Sequence, residues 1–323
     1  MYIGGIFLEL IKSQYHNCFH INLQATLLRF NKNNKFFWHQ AGLFYEKGNN
    51  TLPKIITYYK NFKNLLVEFG IDTETYKYEN TFDIVNDIKK FTENNYVISL
   101  ELDSYELPYC LSYHGDHDVH WLEVVDYKNG KFYVYDHYFG YEGEIEESVL
   151  LKSLESLKKH YKLSHNKFYI FKNSNENYTL DEDWHTENIK LNRKVMFDNY
   201  LGELITNKNE ISVGISAINS LEQDIVIMID KLKRERNSKL DKEFEHYFVS
   251  FKEIAKSRYN YSIYLDELGK KELAEISMVL YQNWIAVANI LMKSFYSNNF
   301  NDIDIRIGKR LNLIKELEGK LKI

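Results

Sequence analysis

The chain has 323 residues, 44% of them hydrophobic and 27% charged, with a formal net charge of −5, 2 Pro and 2 Cys. That length holds two domains with separate cores. The negative balance gives no electrostatic basis for nucleic-acid binding, no apolar run of about 18 residues offers a membrane span, and two Cys do not make a disulfide framework.

In chain order, residues 2–11 (YIGGIFLELI) read as a strand. The first residues carry neither a basic n-region nor a small-residue cleavage site. With the sparse Cys, this points to a reducing cytoplasm. Residues 17–30 (NCFHINLQATLLRF) read as a helix, with Phe19, Leu23, Leu27 and Phe30 on one face and Asn17 as N-cap. Cys18 then sits in the first turn, where the helix dipole favours a thiolate. The aromatic run 35–45 is expected to pack near that helix. The spacing over 53–69 predicts a helix with Pro53 in its first turn and Gly70 beyond its end. A short strand at 75–78 and a helix at 81–93 capped by Thr81 precede a strong strand, YVISLELD, at 96–103.

Asp103 to Asp118 are expected to form a loop over the end of the sheet, rich in His and Asp. VHWLEVVDY and KFYVYDHY follow as two strands joined through Asn129-Gly130, a hairpin signal. GYEGEI at 140–145 reads as a turn, 146–161 as a helix and KFYIFK at 167–172 as a last strand. The polar stretch 173–185 marks the domain boundary. Beyond it only helical periodicity is legible, in four or five long segments with short connections, the pattern of a bundle. The expected fold class is α+β: a domain over 1–175 with an antiparallel sheet, then a helical domain over 176–323.

The chemistry concentrates on Cys18, His120 and Asp136. With the turn near residue 129, the hairpin brings His120 roughly opposite Asp136. A carboxylate there would orient the imidazole as a base for a thiol nucleophile. The other reading of each is a buried Cys and a satisfied strand His. His114, His117 and His120 with interleaved Asp offer zinc-type ligands, but the spacing fits no standard structural zinc site, and no metal is assigned. They read instead as a polar loop lining the site, with His117 the main rival for the base. His16 and His20 read as surface. Cys110 is the rival nucleophile, without a helix start behind it. Glu101 and Asp103 end a strand at the sheet edge near this site, where they could meet a cationic group or be plain solvated carboxylates, and Trp121 and Tyr109 could wall a channel or be core. Tyr259, Tyr261, Tyr264, Tyr281 and Trp284 read as packing.

HNCFHINLQATLL, YELPYCLSYHGDHDVHWLEVVDY and FYVYDHYFGYEGEI together resemble the N-terminal domain of the butirosin biosynthesis protein H family. That family belongs to a broader papain-like cysteine-peptidase group, and the resemblance covers roughly residues 10–175. Its pattern is a Cys on an early helix, a Leu-Pro-Tyr segment, a His-rich approach to the catalytic His and an Asp ending the next strand. Here these fall on Cys18, Leu107-Pro108-Tyr109, His117 to His120, and Asp136. The family also carries a helical region after this domain.

The resemblance implies acyl transfer from a phosphopantetheine thioester on an acyl or peptidyl carrier protein to a small amine, forming an amide. The amide-forming papain-like enzyme of closthioamide assembly is similar. It implies no cofactor beyond the carrier's phosphopantetheine, Cys18, His120 and Asp136 as the catalytic set, and Tyr109, His117, Trp121 and Glu101 about the substrate. A papain-like peptidase has an oxyanion-hole Gln about six residues before the Cys; Lys12 stands there, leaving Gln14 or Asn17. A cysteine peptidase or amidase and a catalytically silent binding module are the alternatives. The helical domain is expected to dock the acidic carrier, with Lys231, Lys233, Arg234 and Arg236 as its densest basic patch, or to line the acceptor site, or to form a homodimer.

Overall fold

The computed structural model describes residues 2–3, 6–7, 9–48, 52–175, 178–203, 211–235 and 237–322. It is a mixed α+β protein with antiparallel sheets. The chain divides into two compact units, each assembled from two stretches: Met1–Asn34 with Leu66–Tyr178, and Lys35–Leu65 with Thr179–Ile323. One crossing lies close to the expected boundary at 175–176. The stretch 35–65, expected in the first domain, groups with the second unit.

The chain opens with the paired strands β1 (Tyr2–Ile3) and β2 (Ile6–Phe7), then α1 (Cys18–Arg29) and α2 (Asn34–Phe37). β3 (Phe44–Glu46) and β4 (Lys54–Ile56) follow, and only then a short α3 (Phe62–Glu68). The long helix expected over 53–69 is therefore wrong in its first half. Ile55, Ile56 and Thr57 are β-branched and favour the extended chain, and Asn61 stops it by accepting from the Lys63 N–H at 2.8 Å.

The first unit is built on six antiparallel strands in the order β5-β10-β6-β7-β8-β9. They are β5 (Ile71–Tyr78), β6 (Ile98–Asp103), β7 (Val119–Lys128), β8 (Lys131–Asp136), β9 (Tyr141–Glu146) and β10 (Asn166–Asn173), with α4 (Thr81–Glu93) and α5 (Glu147–His160) between them. GYEGEI is thus an edge strand, not a turn, paired with β8 from Asp136↔Tyr141 to Lys131↔Glu146. Asn80, not Thr81, caps α4, accepting from the Phe82 N–H at 2.8 Å. One sheet face carries Leu100, Leu102, Leu122, Val124, Phe132 and Val134 against Ile84, Val85, Leu150 and Leu154 of α4 and α5. The other face receives α1, whose Asn22 reaches Ser99 and whose Phe19 lies 4.9 Å from Trp121.

The β7–β8 hairpin turns at Asn129 (φ 52°) and Gly130 (φ 80°), both in the left-handed region that this tight turn needs. Pairing runs Lys128↔Lys131, Tyr127↔Phe132 and Asp126↔Tyr133, then shifts by one to Val124↔Val134 and Glu123↔Tyr135. The shift is a β-bulge at Val125, and it exchanges the faces of every β7 residue before it.

The second unit holds a small sheet in the order β11-β3-β4, with β11 at Ile211–Val213, and the helices α6 (Glu182–Phe197), α7 (Ile215–Arg234), α8 (Ser238–Glu267), α9 (Lys271–Tyr296) and α10 (Ile303–Lys320). β11 is a strand where only helices were expected. Ile225, Phe251, Trp284, Leu291 and Leu311, all fully buried, pack α7 to α10 together. Arg258, fully buried, donates through Nε to Glu318 at 2.7 Å and through Nη1 to the Gly42 carbonyl at 3.1 Å. Trp284 is a buried side chain of this core, and Tyr261 and Tyr264 are buried in a second cluster with Ala41, Leu265 and Ala274.

Candidate active site

Cys18 is the first residue of α1. Asn17 caps the helix, its Oδ1 accepting from the His20 N–H at 2.8 Å. The half-buried thiol donates to the Val119 carbonyl, with Sγ 3.8 Å from the oxygen. This carries Cys18 from one sequence region to the residue immediately before His120.

His120 is 3% exposed, and its Nε2 lies 2.6 Å from Oδ2 of the fully buried Asp136. Asp136 is held by further donors as well. Its Oδ1 accepts from the backbone N–H groups of Tyr138 and Phe139 at 3.1 and 3.0 Å, and its Oδ2 from the Tyr109 hydroxyl at 3.1 Å. A carboxylate surrounded by donors accepts the His120 Nε2–H and leaves Nδ1 as the ring nitrogen for Cys18. Burial by itself would push His120 down; hydrogen bonds with Asp136 and then Cys18 outweigh it and hold the imidazolium to about pH 9.

The remaining expected residues fall in distinct places. Tyr109 supports Asp136 and stacks on Tyr141, ring centroids 3.8 Å apart. His117 lies outside the Cys18 neighbourhood's hydrogen bonds: its Nδ1 is 2.7 Å from Oδ2 of Asp103, and its ring is sandwiched between Tyr105 and His160 at 4.1 and 4.0 Å. Burial works against Asp103, but His117, Ser156 and two backbone N–H groups keep its carboxyl below the ordinary range. Asp103 therefore fastens the 104–118 loop and is not open to an amine. Glu101 is already paired with Lys167 at 3.2 Å, and burial raises its pKa. Trp121 is stacked on Tyr169 at 5.2 Å, beside Phe19 and beneath Lys167.

Gln14 is exposed, its amide Nε2 donating to the Tyr15 hydroxyl at 2.8 Å. His16, expected at the surface, is buried and bonded to Ser13 at 2.8 Å. Cys110 is buried, and burial with the Asp136 charge pushes its thiol up, away from reactivity. Among the described residues no His, Cys, Asp and Glu side chains gather as metal ligands. Among the same residues no helix is long and apolar enough to cross a membrane. Lys231, Lys233 and Arg234 end α7, with Lys233 lying 3.8 Å from Asp230; Arg236 lies outside the described residues.

Two aromatic neighbours of His120 escape sequence reasoning. Phe139 lies 4.9 Å from the His120 ring and the half-exposed Tyr138 lies 6.0 Å from it. Their position right after Asp136 was the available signal; the structure adds that both backbone N–H groups turn onto it. Comparison of the sequence with protein-family models and with curated proteins matches nothing.

Proposed function

We propose that this protein is an amide-forming acyltransferase of a thiotemplated, non-ribosomal natural-product pathway in the cytoplasm, built as a papain-like domain followed by a helical bundle. The observation that carries the reading is the buried His120–Asp136 pair at 2.6 Å with Cys18, at a helix start, against the adjoining Val119 carbonyl. Resemblance of the Cys18, Leu-Pro-Tyr, His120 and Asp136 segments to the butirosin-type acyltransferases supplies the reaction class.

In the first half-reaction the Cys18 proton passes to His120 Nδ1, giving the imidazolium that Asp136 favours, and the thiolate sulfur then attacks the thioester carbonyl of an acyl carrier protein. The C–S bond to the phosphopantetheine breaks, the carrier thiol leaves with that proton, and the acyl group remains on Cys18. The Cys18 N–H, in the first turn, and the Asn17 amide nitrogen are the donors for the oxyanion, because Asn17 Oδ1 is already used as the cap. Acylation removes one of the partners that raise His120, so the imidazolium more readily gives its proton to the leaving thiol and the ring is left neutral for the next step. In the second half-reaction it takes a proton from the attacking amine, the amide forms, and Cys18 is released.

The test is intact mass of the full chain after incubation with an acyl-loaded carrier protein. An acyl adduct that Cys18→Ala abolishes, and that a small amine discharges faster than water, is the expected result. Discharge to water alone makes the protein a hydrolase of the peptidase or amidase type. No adduct on a folded chain leaves a binding module.

A further inference from the structure

Behind the His120–Asp136 pair, on the opposite sheet face, lies a second buried array. Arg29, the last residue of α1, donates through Nη2 to both oxygens of Glu123 at 2.5 Å. Glu123 in turn lies 3.3 Å from Nε2 of His137. The Ile11 backbone N–H donates to Nδ1 of His137 at 3.1 Å. The side chains of Arg29, Glu123 and His137 are 5%, 1% and 1% exposed. The directions are forced. Nδ1 accepts from an amide, so the ring proton sits on Nε2 and points at Glu123.

The segment 11–29 therefore begins and ends on the same cluster, with Cys18 between. Its leader is held by Ile11 on His137, its helix by Arg29 on Glu123, and the two acceptors are bonded to each other. Glu123 and His137 belong to the two chain segments that present His120 and Asp136 on the other face. We propose that Arg29, Glu123 and His137 form a positioning clamp that sets Cys18 and the oxyanion donors at 17 and 18 against His120. The clamp rests on the acyl-enzyme reading for its purpose, though not for its geometry.

The test uses the full-length chain and three variants, His137→Ala, His137→Asn and His137→Gln. Asn places an acceptor where Nδ1 lies and keeps the Ile11 bond; Gln keeps a donor toward Glu123 and loses it. Two readouts are taken: amide hydrogen exchange of the peptide covering 10–20, and the rate and pH profile of Cys18 alkylation by iodoacetamide. His137→Ala is expected to speed exchange over 10–20 and slow alkylation about tenfold, with its pH profile moved onto that of His120→Gln, a shift that lost stability alone does not produce. His137→Asn is expected to stay within about threefold of the wild type and His137→Gln to follow Ala. If Ala does not fold, the Asn–Gln pair decides. Equal behaviour of Asn and Gln, or an Ala variant indistinguishable from wild type, overturns the clamp. If instead His120→Gln leaves wild-type alkylation unchanged, it is the acyl-enzyme reading that fails, and exchange over 10–20 judges the clamp by itself.

Discussion

His120 and Asp136 are hydrogen-bonded at 2.6 Å although they are not cross-strand partners. The pairing Glu123↔Tyr135 sets Leu122 opposite Asp136, so His120 reaches it along the diagonal. The regular register nearer the turn would have set Asp136 opposite Glu123 and sent His120 to the other face. The bulge at Val125 is what gives the two side chains a common face. Asp136→Asn keeps the hydrogen-bond geometry but loses the charge that favours the imidazolium. It is expected to lower the rate of Cys18 acylation by about 10²–10⁴-fold with little change in carrier KM. Single-turnover acylation followed by mass spectrometry measures this.

The two cysteines should differ sharply toward electrophiles. Cys18 is half-buried at a helix start, whereas Cys110 is 6% exposed with its thiol pushed up by burial and the Asp136 carboxylate. Limiting iodoacetamide at about pH 7 is expected to label Cys18 at least about tenfold faster than Cys110. Peptide mapping reads the ratio, and equal labelling would remove the nucleophile from the proposed mechanism.

The pH dependence of stability carries an opposite sign at two sites. His120 rises from an ordinary value of about 6.5 to about 9. Its contribution is complete below the unfolded value and is lost as pH rises through the folded one. Glu123, where burial is outweighed by Arg29 and His137, falls to about 2, so its contribution is present above its unfolded value and lost as pH falls toward 2. Urea unfolding should show the gap between wild type and His120→Gln shrinking from about pH 6 to about pH 9, and the gap to Glu123→Gln shrinking only in acid.

In the second unit, Arg258 and Glu318 form a pair with 0% and 2% of their side chains exposed. Arg258→Met strands a carboxylate and Glu318→Leu strands a guanidinium, each expected to cost about 3–5 kcal/mol. The double variant should lie well above the sum of the two. Burial raises the Glu318 pKa while Arg258 opposes it, so the Arg258→Met deficit should ease on acidification, when the lone carboxyl takes up a proton. Thermal midpoints at two pH values check both points.

What the sequence disclosed followed from local rules. Asn129-Gly130 announces its turn, Asn17 its cap, and the periodicity of α7 to α10 their helices. What it concealed is set by distant partners. Nothing in Val124-Val125 announces a bulge, since no Gly marks it. The two Gly of GYEGEI mask a strand that β8 imposes. α6 hides in a segment whose first half is polar, EDWHTENI. The return of 35–65 to the second unit has no compositional sign, because it depends on β11 pairing with β3 some 165 residues earlier in the chain, at Val213↔Phe44 and Ile211↔Glu46. Arg29, Glu123 and His137 look like unrelated polar residues until the sheet gathers them.

The bulge at Val125 works like a reading frame for the strand before it. Every residue from Val119 to Val124 is assigned to the site face or to the clamp face by the presence of that one extra position. A single-codon deletion there would leave Cys18, His120 and Asp136 intact in the gene and yet turn His120 away from its acid. Under the proposed function, a chain that keeps all three residues but shortens β7 by one is expected to form no Cys18 acyl adduct, so the length of the hairpin counts as well as its letters.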